Sequence, residues 1–323
     1  MKIFKQIESY KKRIAIVSNN EQFTYGYLIE RSNLIASFLL NNKEDLMEEK
    51  IGLLLNPDIN YICTLWGIWK AGGVAVPLSL SAKKDELKHY ISDCNIKLII
   101  SSNTYEYQKV IPKSNGLNII EIEKINIKEK RHLPSIKSER KAMILYTSGT
   151  TSKPKGVVTT HMNVESQITT LVEAWEWNQE DHIPLFLPLH HIHGIINSLS
   201  CPLFIGAKVT MMGPFDTEKV CSQVASNDFT VFTAVPTIYF SLIEKLESSN
   251  NKKLFKGFKK MRLMMSGSAA LAPEIHKKWK ELTGQDLLER YGMTEVGMAL
   301  SNKINGEKRP GSVGVTLPGV EVK

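Results

Sequence analysis

Between the apolar runs Ala142–Leu145 and Val157–Val158 the chain carries Thr147, Ser148, Gly149, Thr150, Thr151 and Ser152, then Lys153, Pro154, Lys155 and Gly156. Five of the first six bear a hydroxyl, and two ammonium groups follow. Such a loop gathers backbone N–H groups, hydroxyl donors and positive charge in one place, which suits a polyphosphate. It is not the Walker phosphate loop, because no Gly-Lys-Ser/Thr follows Gly149 at the required spacing. A plain polar turn draws on the same residue types. It needs neither so many hydroxyls nor Pro154 fixing the backbone between two lysines.

Three further stretches hold reactive side chains. Leu288-Glu289-Arg290-Tyr291-Gly292-Met293-Thr294-Glu295 reads as a strand running into a turn at Gly292. Its Glu295 offers the carboxylate oxygen that Mg²⁺ takes beside substrate phosphates and water. Ser266-Gly267-Ser268-Ala269-Ala270-Leu271 is a small-residue turn at a strand end. Pro188-Leu189-His190-His191-Ile192-His193-Gly194 gathers three histidines. No carboxylate or cysteine accompanies them at a recognisable ligand spacing, so a metal centre is not expected there.

These side chains need a scaffold, and the pattern supplies one. Apolar strands are predicted near residues 13–17, 51–55, 74–78, 98–101, 142–147, 184–187, 207–212, 230–234 and 261–265. Helical periodicity fills the gaps, starting at Thr24 and continuing over 59–71, 82–92, 217–226, 237–246 and 273–283. Strands that are apolar throughout, alternating with helices, predict an α/β fold with parallel sheets covered on both faces. We expect two stacked doubly wound halves, residues 1–125 and 142–300. A charged connector over 126–141 divides them, and 301–323 opens a third, strand-based unit. The densest basic cluster, Lys252 to Arg262, reads as a solvated loop.

Composition narrows the classes. A hydrophobic share of 42% and a charged share of 23% are those of a soluble globular chain. Net charge is +8, which raises nucleic acid as a partner, but the lysines are mostly scattered, and an anionic nucleotide would profit from the same field. Cys63, Cys94, Cys201 and Cys221 show no pairing pattern and predict a reducing compartment, the cytoplasm. No apolar segment follows Met1 as in a signal peptide. The most apolar window, 192–212, is broken by His193, Asn197, Pro202 and Lys208, so no membrane span is expected.

The loop at Thr147–Gly156 closely resembles the signature loop of the adenylate-forming superfamily of acyl-CoA synthetases, adenylation domains and luciferases, with Ser152 where that pattern most often has Gly. Leu288–Glu295 resembles its Tyr-Gly-x-Thr-Glu motif, and Pro188–Gly194 its acid-pocket segment. His161 and Asn163 match the start of the family's next helix. The resemblance implies that the two halves belong to the large N-terminal domain of these enzymes. It implies ATP, Mg²⁺ and CoA as cofactor and co-substrates, with Thr147, Ser148, Gly149, Thr150, Thr151 and Lys155 on the phosphates. Tyr291 would pack on adenine with Ser268, Ala269, Ala270, Glu289 and Gly292 nearby. Thr294 would touch the α-phosphate, and Glu295 would hold magnesium. Thr294, Glu295 and Lys155 form the implied catalytic set.

His191, His193, Ser266, Arg290 and Met293 would line the acid pocket. Arg290 stands where fatty-acyl and aryl members keep a small residue, and His193 where many carry an aromatic one. A guanidinium there is costly unless it meets an anion, and its planar donor pair suits a second carboxylate. The set resembles malonyl-CoA synthetases from Arg13 to Lys323. The resemblance implies ATP-dependent activation of malonate and transfer to CoA. Fatty-acyl ligases, a silent nucleotide-binding module and a basic nucleic-acid binder are the alternatives. The ribose-binding Asp and the C-terminal lysine domain implied by the family fall outside these 323 residues, so the chain reads as truncated and slow on its own. Small molecules are the expected partners, with neither nucleic acid nor membrane.

Overall fold

The computed structural model describes residues 2–102, 116–125, 131–147 and 153–323. Contacts divide the chain into two compact units, one of residues 1–166 and 188–191, the other of 167–187 and 192–323. Both are α/β.

In the first unit, β1 (Ile14–Ser18) and β2 (Glu21–Thr24) form a hairpin. The main sheet runs β6-β5-β3-β4-β7-β8. Its members are β3 (Lys50–Leu54), β4 (Val74–Pro77), β5 (Leu98–Ser101), β6 (Asn118–Glu121), β7 (Lys141–Thr147) and β8 (Lys155–Thr160). All neighbours are parallel except β7 and β8. Every residue of β4 is buried, as expected for a parallel strand covered on both faces. β8 is an edge, and its Val158 is exposed.

The contacts thus divide the chain elsewhere than at the 126–141 connector. β7 completes the first sheet because Met143 pairs with Ala75 of β4. Arg140 locks that arrangement, donating to both carboxylate oxygens of Asp45 at 2.6 and 2.9 Å and to the Gly72 carbonyl at 2.6 Å. The hydrogen bond from Arg140 holds the Asp45 carboxyl below its ordinary pKa.

Two helices of this unit begin at capping side chains. Thr24 accepts from the Tyr27 N–H ahead of the helix Tyr25–Leu40, and Asp58 from Asn60 ahead of Ile59–Lys70. The helix Lys84–Asp93 buries Leu87 and Ile91 in a cluster with Leu54, Val76, Ile99 and Ile144. Each such side chain contributes about 1.5–3 kcal/mol by leaving water.

Lys70 is the exception in this apolar packing. It is buried, its Nζ donates to Ser32 Oγ at 2.7 Å and Asn33 Oδ1 at 2.8 Å, and it lies 4.7 Å from the Phe4 ring centroid. Burial lowers its pKa to about 8. Below that pH the ammonium is charged in both folded and unfolded chains; between about 8 and the ordinary 10.5 only the unfolded chain holds the proton. Stability contributed at this site therefore rises as pH rises through that window, by at most about 1.4 kcal/mol per pH unit. Denaturant titrations of wild type and Lys70→Met across pH 7–11 check this. The difference between the two should change across the window, and a constant difference would refute the assignment.

In the second unit β9 (His182–Leu185) and β10 (Lys208–Met211) pair in parallel. So do β11 (Val231–Ala234), β12 (Leu263–Ser266) and β13 (Leu288–Met293). β13 turns back antiparallel into β14 (Gly297–Ser301), which pairs with the short β15 (Val315–Thr316). The region 252–262, expected as a solvated loop, holds the helix Lys252–Lys259. Asn251 caps it, and Leu254 and Phe258, four residues apart, bury one face. Gly257 lets it approach the neighbouring helix Thr217–Ser226, since a Cβ there would lie 2.4 Å from the Val224 carbonyl oxygen. The lysines hid this short apolar stripe. No described helix is long and apolar enough to cross a membrane.

Candidate active site

Each unit carries its own share of the predicted residues. In the first, the pair Thr147–Lys155 ends the β7–β8 ladder, so the hydroxyl-rich loop springs from a hairpin with defined stems. Lys155 is exposed there. Ser148, Gly149, Thr150 and Thr151 lie outside the described residues. Thr160 caps the helix His161–Ala174, its hydroxyl oxygen accepting the Asn163 N–H at 3.1 Å, while Asn163 Oδ1 accepts in return from the Thr160 N–H at 3.0 Å and hydroxyl at 2.8 Å. His161 is buried edge-on to Trp69, and burial lowers its pKa to about 4, which keeps it neutral. His191 belongs to this unit too, exposed, its ring 4.2 Å from that of His190.

In the second unit His193 opens a π-helix, His193–Ser200. The hydroxyls of Ser198 and Ser200 donate to carbonyls five residues back, at 3.0 and 2.6 Å, bracing the wide turn. Such turns are rare and concentrate at functional sites. The buried imidazole of His193 meets Thr233 Oγ1 at 2.7 Å through Nε2 and Ser268 Oγ at 3.1 Å through Nδ1. Hydroxyls donate or accept, so this cradle tolerates either tautomer and the imidazolium.

Strand register decides what shares a face with it. Thr233, Met265 and Leu288 stand abreast across β11, β12 and β13, so Arg290, two residues on, lies on the Thr233 face. Its guanidinium packs on Gly267, where a Cβ would fall 2.5 Å from Cζ. Arg290 is 4% exposed, and its Nε and Nη2 find no hydrogen-bond partner among the described residues. Burial lowers its pKa to about 10, leaving it charged at neutral pH. A buried cation with unmet donors costs several kcal/mol, a cost that a paired anion would offset.

The sequence profile described as AMP-binding enzyme matches residues 3–323. The chain belongs to that family. The chain is 37% identical to the mitochondrial malonate–CoA ligase ACSF3 of Homo sapiens, over 99% of this chain and 60% of that protein. It is 35% identical to a malonate–CoA ligase of Arabidopsis thaliana, over 99% and 59%. Apo MatB from Rhodopseudomonas palustris superposes with a TM-score of 0.87 at 26% identity, over 98% of this chain and 64% of that one. The chain spans about three fifths of the length of the curated relatives it matches.

Other predicted residues of this AMP-binding enzyme fall into two groups. Tyr291 and Met293 are 44% and 43% exposed on β13, while Thr294 and Glu295 form the turn to β14. Ser268, Ala269 and Ala270 are exposed at the end of β12, with Ser268 in the left-handed region at φ 72°. Gly292 is partly buried on β13. Ser266 and Glu289 share the opposite face of the sheet from Arg290. The buried Glu289 carboxylate accepts the Gly311 N–H at 2.7 Å and lies 3.6 Å from His276 Nδ1, so it ties the 309–314 loop to β13. Thr233, Asn197 and Gly267 were not among the predicted site residues. Thr233 and Gly267 emerge only once the parallel register is known. Asn197, one turn beyond His193, is wholly buried, and neither its amide N nor O has a partner among the described residues.

Proposed function

We propose that this chain activates malonate with ATP, releasing pyrophosphate and forming malonyl-adenylate, which the CoA thiol then captures with loss of AMP. The supporting observation is the buried Arg290 guanidinium, lying on Gly267 with unmet donors. One malonate carboxylate would pair with Arg290, assisted by His193. The other would attack the α-phosphorus. Lys155, Thr147 and the hydroxyls of Ser148, Thr150 and Thr151 would hold the β- and γ-phosphates, Thr294 the α-phosphate, and Tyr291 the adenine face. Catalysis of this step is positioning and charge stabilisation.

Glu295 is exposed at a hairpin turn, and the described residues hold no group of three metal ligands. A single carboxylate fits Mg²⁺, which keeps waters and takes substrate phosphates, and the ion would offset charge on the leaving pyrophosphate. The four cysteines are free and buried, in keeping with a reducing compartment. The cytoplasm is our proposed location; the human relative is named as mitochondrial.

Pyrophosphate–ATP exchange with malonate, methylmalonate, acetate, butyrate and octanoate tests the reading. Exchange should depend on a dicarboxylate, and preference for a monocarboxylate would overturn it. Lys155→Ala should weaken ATP binding on the order of tenfold, the loss of one charge-assisted hydrogen bond. Calorimetric titration with ATP measures it, and unchanged affinity would remove Lys155 from the phosphate site.

A further inference from the structure

The helix Lys84–Asp93 lies beside the hairpin that bears Lys155, and one face of it touches both stems. His89 Nε2 is 2.8 Å from the Pro154 carbonyl oxygen, immediately before β8. That oxygen carries no proton, so Nε2 must donate. Four residues on, Asp93 Oδ2 accepts the Tyr146 hydroxyl at 2.6 Å, near the end of β7. Positions four apart share a helix face. Tyr146 is held further by the Tyr90 ring, stacked at 4.1 Å with 31° between planes, and by Cys94 Sγ at 3.0 Å from its hydroxyl. The His89 ring meets the Tyr146 ring edge-on at 5.9 Å.

We propose that His89 and Asp93 are positioning residues that clamp the two stems of this hairpin and so fix Lys155 for its phosphate contact. The last clause rests on the nucleotide role proposed for Lys155. Among the described residues the hairpin stems pair through the β7–β8 ladder, whose β8 side is a sheet edge. An edge strand can fray from its end. A donor on the Pro154 carbonyl and an acceptor on the Tyr146 hydroxyl oppose that fraying from one rigid element. Lys155 would then meet phosphate without first being ordered, and preorganisation of this kind appears as affinity.

The test uses His89→Ala, His89→Gln and Tyr146→Phe. Two readouts are taken: amide hydrogen exchange at residues 155–157, and the KM for ATP against kcat in malonate-dependent pyrophosphate release. His89→Ala and Tyr146→Phe should each speed exchange at 155–157 about fivefold, the loss of one net hydrogen bond, with β11–β13 unchanged. KM for ATP should rise by a similar factor, with kcat within about twofold. Gln, whose amide N–H also donates, should restore both. Unchanged exchange, or a uniform rise over the chain, would overturn the clamp, even if Lys155→Ala weakens ATP binding. Locally faster exchange in a chain without ATP dependence would uphold the clamp and remove the nucleotide role.

Discussion

Arg290→Gly should lower malonate-dependent pyrophosphate release about a thousandfold or more while leaving ATP affinity unchanged. The guanidinium is charged, 4% exposed and short of partners, so the proposed pairing with a carboxylate would take place where water competes little. Sites built around a polar partner discriminate by about 10⁴-fold, against roughly 10–200-fold for a methylene in an apolar pocket. Acetate and butyrate, expected to be poor substrates of the wild type, should gain relative to malonate in the variant. Arg290→Met should also raise thermal stability by about 1–3 kcal/mol, because an apolar chain of similar length replaces an uncompensated buried charge. Steady-state rates with each acid and thermal unfolding of each variant measure these effects. Malonate kinetics untouched in Arg290→Gly would end the dicarboxylate reading and leave family membership intact.

That site was legible in part, and the limits have physical causes. Arg290 stood out because a guanidinium in a small-residue position violates a local expectation, and such violations mark functional sites. The hydroxyl-lysine loop stood out in the sequence because its chemistry is contiguous. What pairs across the sheet was not. Thr233 sits in an ordinary apolar strand, and only the register Thr233–Met265–Leu288 places it on the Arg290 face. Glu289 and Ser266 carry polar groups within the motifs, yet the two-residue period turns both to the other face. Element types came through where periodicity was strong, as at 217–226 and 273–283. The helix Lys252–Lys259 was masked by its lysines, since only Leu254 and Phe258 carry its apolar stripe. The charged connector suggested a boundary, but a boundary depends on which strand β7 joins, and that pairing is non-local.

Gly267 offers a test of the same site from the backbone side. In sequence it read as one more small residue in a turn, suited to any close approach. The structure gives it a specific neighbour: an added Cβ would fall 2.5 Å from Cζ and 2.6 Å from both Nε and Nη1 of Arg290. Separations under about 3 Å cannot stand, so the guanidinium must move. Being buried, it has no solvent to swing into without disturbing the sheet face. Gly267→Ala should therefore reduce malonate use about a hundredfold, the order of loss that a misplacement near 1 Å produces. The φ of Gly267 is not in the left-handed region, so alanine adds no backbone strain there, and the effect should act through Arg290. A double-mutant cycle makes that claim sharp. If Gly267 matters only by seating the guanidinium, then adding Gly267→Ala to Arg290→Gly should cost nothing further, giving a large coupling energy between the two sites. Additive losses in kcat/KM for malonate would show that Gly267 serves the reaction by some other route. A full-activity Gly267→Ala protein would mean that the guanidinium is free to relocate, and the rigid anion site would be refuted.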